Sequence, residues 1–185
     1  MARVLRIQGV DQAMEEHPPE YDPQANGSAE VGVQLMKGHF RTLRADIESR
    51  IGFRIPVRHP VIAWMVRHAA NLVTWCARGH DGLTGYQRVR SRPFRTRLLT
   101  FGEKCTSKIR SQEEVPRDGR RTYPGIFLGL DRRTGQYMVH SEGEIRLART
   151  VFRLPEADKW DKDALASVHC TPLDLHKPRE PEVIF

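Results

Sequence analysis

The chain has 185 residues, 39% hydrophobic and 29% charged, which admits a packed core. No apolar run approaches the roughly 20 residues of a membrane span, the N-terminus lacks the apolar stretch of a secretory signal, and three distant cysteines (Cys76, Cys105, Cys170) exclude a disulfide framework. Net charge is +7 but unevenly spread: residues 31–121 carry 19 basic and 7 acidic side chains, whereas both ends are net acidic, a distribution that points to a polyanionic partner.

In chain order, Val4–Ile7 reads as a possible short strand, and prolines 18, 19 and 23 forbid helix interior around them. Asn26-Gly27 marks a turn. A helix follows: Val33, Met36, Phe40, Leu43 and Ile47 recur at steps of 3 and 4, and Gly52 and Pro56 end it. A second helix is predicted over 60–77, with Ile62, Met65, Val66, Ala69, Leu72, Val73 and Cys76 on its apolar face and Trp64 and Trp75 widening it. Cys76 is thereby expected in the core, and Trp64 and Trp75 are expected to pack rather than stack on bases. A short third helix is predicted over 84–90. Leu98–Phe101 and Lys104–Ile109 read as strands, and 112–121 as an exposed loop. From Tyr123 the period shortens. Ile126–Leu130, Gln136–His140 and Ile145–Leu154, separated by turns, form a β-meander that suits a small barrel. Residues 155–185 are acidic and proline-containing, and little order is expected of them.

Glu30, Gln34, Lys37, Arg41 and Arg44 fall on one helix face at steps of 4, 3, 4 and 3. A carboxylate heading a row of cations can bind a hard cation while the row follows a phosphate backbone. On pattern alone the plainer reading is the stronger: a first-turn glutamate favoured by the helix dipole, with solvated basic residues beyond it. His59 and His68 have no nucleophile or orienting group placed beside them, and the eight histidines show no zinc-ligand spacing. Tyr123, Phe127 and Tyr137 fit either a nucleic-acid face or the core.

The local wording adds a family. Residues 21–30, YDPQANGSAE, resemble the P-x-x-N-G-x-x-E segment of Ty/copia-type retrotransposon integrases. Further words follow in the family's order. Residues 59–65 resemble its next helix. Residues 81–88 resemble its T-P-Y-E-R word, with Gly85 and Gln87 substituted. Residues 99–103 resemble L-R-x-F-G, 124–129 resemble G-I-F-L-G, and 148–152 resemble S-R-D-V-V-F. The likeness covers roughly residues 15–155.

The resemblance implies an α+β chain. Residues 1–90 would be the helical C-terminal portion of a ribonuclease-H-like integrase core, 91–155 a small Src-homology-3-like β-barrel, and 156–185 an acidic tail. It implies that Glu30 is the third carboxylate of a D,D,E triad holding Mg²⁺ (or Mn²⁺) for phosphoryl transfer. Asn26 and Gly27 would shape the helix start, and Gln34 and Lys37 would face the element's DNA. Apart from the resemblance, Arg41, Arg44, Arg95 and Arg97 are expected DNA contacts by their charge, and the basic stretch 88–97 reads equally as an import signal, a DNA contact or a solvated run. The resemblance also implies a nuclear or cytoplasmic setting, with further copies or other segments of the Pol polyprotein as partners. The family's second aspartate lies about 35 residues before the glutamate, whereas the aspartates before Glu30 are Asp11 and Asp22. The chain by itself is therefore expected not to catalyse strand transfer. A catalytically inactive DNA-binding module, or an element remnant, is the competing expectation.

Overall fold

A computed structural model of the protein describes residues 27–108 and 121–176. The expected strand at Val4–Ile7, Asn26, and most of the 112–121 loop lie outside the described residues. Two units are distinguished, Met1–Gln34 and Leu35–Phe185. Of the first, the described part is the opening of helix α1 (Gly27–Ile51), where Glu30 and Gln34 are exposed, as is Val33.

In the second unit α1 turns its stripe inward. Ile47 is buried, and Phe40, Leu43 and Ile51 pack beside it. Gly52, at φ +62°, closes the helix in the left-handed conformation that glycine tolerates best. Helix α2 (Val61–Cys76) buries Val61, Trp64, Met65, His68, Ala69, Asn71 and Trp75. This face is rotated from the one expected: Val66 and Cys76 are exposed. The large area of two indoles outweighs the smaller aliphatics in choosing the face. His68 and Asn71 are carried inward with them, and Trp64 Nε1 donates to the Cys170 carbonyl at 2.7 Å. Helix α3 (Gly85–Arg90) starts on a capping box: Thr84 accepts from the Gln87 N–H while the Gln87 side chain accepts from the Thr84 N–H.

The strands are β1 (Lys104–Lys108), β2 (Thr122–Leu130), β3 (Tyr137–Ser141), β4 (Glu144–Ala148) and β5 (Val151–Arg153). They form one antiparallel sheet in the order β4-β3-β2-β1-β5, with a bulge between Phe127 and Gly129. The long final strand expected over 145–154 is broken at Arg149-Thr150, and its second half crosses to the far edge to pair with β1. In a flat sheet β4 and β5 would stand four strand spacings apart, about 19 Å. The link from Ala148 to Val151 reaches at most about 11 Å. The sheet must therefore curl until its two edges approach.

Leu98–Phe101 is not a strand. The Arg97 carbonyl accepts from the Tyr137 hydroxyl at 2.8 Å and the Leu98 carbonyl from Arg153 at 3.1 Å, so side chains take the place of a ladder. Residues 156–176 also depart from expectation. They carry α4 (Lys162–Ala166) and bury Leu165 and Val168 against Ile47, Trp64 and Phe101. Lys104 Nζ reaches Asp161 at 2.7 Å, and the Lys104 N–H donates to the Lys159 carbonyl. Helix α2 supplies Trp64 and Met65 to one hydrophobic cluster and Trp75 to a second, and strand residues complete both.

Candidate nucleic-acid interface

The five arginines of the basic stretch 88–97 divide by what stands near them. Arg88 is held by Asp81 through two contacts, Nε to Oδ2 at 3.0 Å and a terminal nitrogen to Oδ1 at 2.6 Å. That guanidinium holds the Asp81 carboxyl down at about 2. Arg90 donates to the Arg132 carbonyl at 3.3 Å. Arg92, Arg95 and Arg97 are exposed, and their guanidinium groups have no ion pair or hydrogen bond among the described residues.

The backbone that presents them is shaped by aromatic packing. Ser91, at φ 54°, ends α3 in the left-handed region. An extended run follows in which Phe94, Thr96 and Leu98 turn partly inward and Arg95 and Arg97 outward, the period of two of an extended chain. Phe94 lies flat on Trp75, with ring centres 4.6 Å apart and planes 5° from parallel, and Tyr86 meets Phe94 edge-on at 5.3 Å. Tyr86, Arg92, Pro93, Arg95 and Thr96 border an open cleft of about 460 Å³.

The residues expected on α1 separate into two groups. Lys37 and Arg41 are exposed, with no side-chain partner among the described residues. Arg44 is committed to the fold: its Nε donates to Glu48 at 2.8 Å and a terminal nitrogen to the Ile55 carbonyl at 2.7 Å. Glu48 in turn accepts from the Ile55 N–H at 2.9 Å. The Arg44 hydrogen bond, aided by the Ile55 N–H and opposed by burial, lowers the Glu48 carboxyl below its ordinary range. Arg44 therefore staples the end of α1 to the following loop instead of offering itself to a phosphate.

Gly27 is the first residue of α1, and Glu30 stands exposed in its first turn. Among the described residues no three His, Cys, Asp or Glu side chains come together to hold a metal ion. The two-ion arrangement that the resemblance implies finds no ligand set among them.

His59 and His68 are both tied into the fold. His59 Nδ1 accepts from the Val61 N–H and Nε2 donates to the Ala166 carbonyl, both at 3.2 Å, which clips α2 to α4. His68 is buried among Phe101, Phe127 and Trp75, and burial pushes it down to about 4. Phe127 is buried in the core, while Tyr123 carries the Arg146 guanidinium 3.9 Å above its ring. Burial, with the Glu103 charge beside it, pushes the Cys105 thiol up to about 12. Arg92 belongs to the basic stretch visible in the sequence, whereas Tyr86 and Thr96 join the cleft only through the fold. No protein-family model, curated protein or solved structure matches the chain.

Proposed function

We propose that this chain is a nucleic-acid-binding segment related to the C-terminal part of Ty/copia-type retrotransposon integrases, and that it holds DNA by its phosphates. The observation that carries the proposal is the division of the arginines. Arg88, Arg90 and Arg44 are consumed by internal partners, while Arg92, Arg95, Arg97, Lys37 and Arg41 are not. Unpartnered arginines on a rigid, aromatic-braced run suit phosphate contact through their planar forks. The ordered integrase-like words from Tyr21 to Phe152 supply the family side of the reading. The helices followed by a tightly curled five-stranded sheet agree with a ribonuclease-H-like remnant leading into a Src-homology-3-like barrel.

On this reading the described part binds DNA and does no chemistry. Glu30 would serve as a metal ligand only in company with two further carboxylates. Nuclear or cytoplasmic placement and assembly with further copies or other Pol segments belong to the same proposal. Among the described residues no helix is long and apolar enough to cross a membrane.

The test is duplex binding followed by anisotropy as salt is raised. Binding to arbitrary sequence is expected at low salt, with log K falling linearly in log salt. The double reversal Arg92→Glu, Arg95→Glu should reduce that slope by about 1 per lost contact. A chain that binds no duplex at low salt would sink the proposal.

A further inference from the structure

Arg92 and Arg95 stand on the rim of a concavity whose other walls are Tyr86, Pro93 and Thr96. Its volume, about 460 Å³, falls within the roughly 300–1,000 Å³ of sites that enclose a small molecule. A double helix, far wider than such a cleft, cannot enter it. A single nucleotide unit can.

The chemistry of the walls matches the parts of a nucleotide. Two guanidinium groups three residues apart can bracket one backbone phosphate. The Pro93 ring and the Tyr86 phenol ring offer apolar surface to a base. The Thr96 side chain makes no hydrogen bond among the described residues, so its hydroxyl is available to a ligand. The walls are also preorganised: Phe94 is stacked on Trp75 and braces Tyr86 from behind, and Pro93 restricts the backbone between the two arginines. In a paired duplex the base faces are covered by their neighbours, so an aromatic wall can be used only by an unpaired or extruded base.

We infer that the Tyr86–Arg92–Arg95 cleft is a subsite for an unpaired nucleotide, such as a single-stranded stretch or a frayed DNA end. This rests on the nucleic-acid-binding reading above and adds a preference for unpaired over paired strands.

The test uses the full chain and two labelled probes at equal salt, an oligothymidylate and a blunt duplex of equal length, followed by fluorescence anisotropy. The oligothymidylate should bind about ten-fold more tightly, since stacking of even one base accounts for a factor of that order. Tyr86→Ala should remove most of that preference, and Tyr86→Phe should keep it. Arg92→Ala with Arg95→Ala should weaken the oligothymidylate more than the duplex, whereas Lys37→Glu with Arg41→Glu should do the reverse. Arg92 and Arg95 are exposed, so their variants report on the cleft even if Tyr86→Ala fails to fold. Equal affinity for the two probes, or cleft variants that weaken both equally, overturns this inference and leaves duplex binding standing. Binding of neither probe overturns both readings together.

Discussion

His68 Nδ1 lies 3.2 Å from the point where a side chain would begin on Gly129, so the middle of α2 rests directly on the bulge of β2. Gly129 adopts φ +131°, a conformation that side chains strain to reach. Gly129→Ala adds a methyl against both the His68 ring and Met138 Cε. We expect a loss of about 1–3 kcal/mol from backbone strain, with more if the helix cannot yield. Urea unfolding should show a lower midpoint at unchanged slope.

The same contact makes the fold sensitive to acid. Burial lowers His68 to about 4, while in the unfolded chain it titrates near its ordinary value of about 6.5. Between those values the unfolded chain binds a proton that the folded chain refuses. The contribution is therefore fully present above about pH 6.5 and is lost as pH falls toward 4. The shift corresponds to about 3 kcal/mol. His68→Leu should flatten this part of the stability–pH curve, and because Nδ1 is buried without a hydrogen-bond partner, it should cost little at neutral pH. A variant that loses stability between pH 6.5 and 4 as steeply as the parent would contradict the assignment.

Arg44 separates folding from binding. Arg44→Met removes the hydrogen bonds to Glu48 and the Ile55 carbonyl. It should cost about 1–2 kcal/mol, or roughly 2–8 °C in melting temperature. The salt dependence of DNA binding should not change. Lys37→Glu with Arg41→Glu should behave oppositely, reducing the salt slope while the melting temperature holds.

Phe94 should influence binding without touching the ligand. Phe94→Ala empties the space between Trp75 and Tyr86 and frees the run that presents Arg92 and Arg95. For this half-buried ring the expected cost is about 2 kcal/mol, below the range for fully buried phenylalanine. Oligothymidylate affinity should fall several-fold, and Phe94→Tyr should restore both. Thermal melts read together with anisotropy would show whether the two losses travel together.

What the sequence made legible depended on how local the cause was. The 3–4 spacing from Val33 to Ile47 and the closing Gly52 act within one helix, and both announced α1. The buried face of α2 was displaced because aliphatic periodicity cannot weigh two tryptophans against Ile62, Val66 and Cys76. Leu98–Phe101 reads as a strand, yet the Leu98 carbonyl is claimed by Arg153, 55 residues away, and that of Arg97 just before it by Tyr137, 40 residues away. The acidic composition after residue 155 concealed Leu165 and Val168, which reach the core from α4 and the residues just beyond it. In the candidate interface, Lys37 and Arg41 could be named from spacing, and Arg95 and Arg97 from the basic stretch that holds them. The capture of Arg44 by the Ile55 carbonyl could not, because it depends on where the chain returns after α1.

The two-residue connection at Arg149-Thr150 also governs how copies of this protein can meet. Unpaired sheet edges normally invite another chain to add a strand. Here the outer strands β4 and β5 are drawn toward each other by their own short tether, and β1 already pairs on both sides. An incoming strand finds little room to dock. The short tether thereby disfavours extension of this sheet by an added strand.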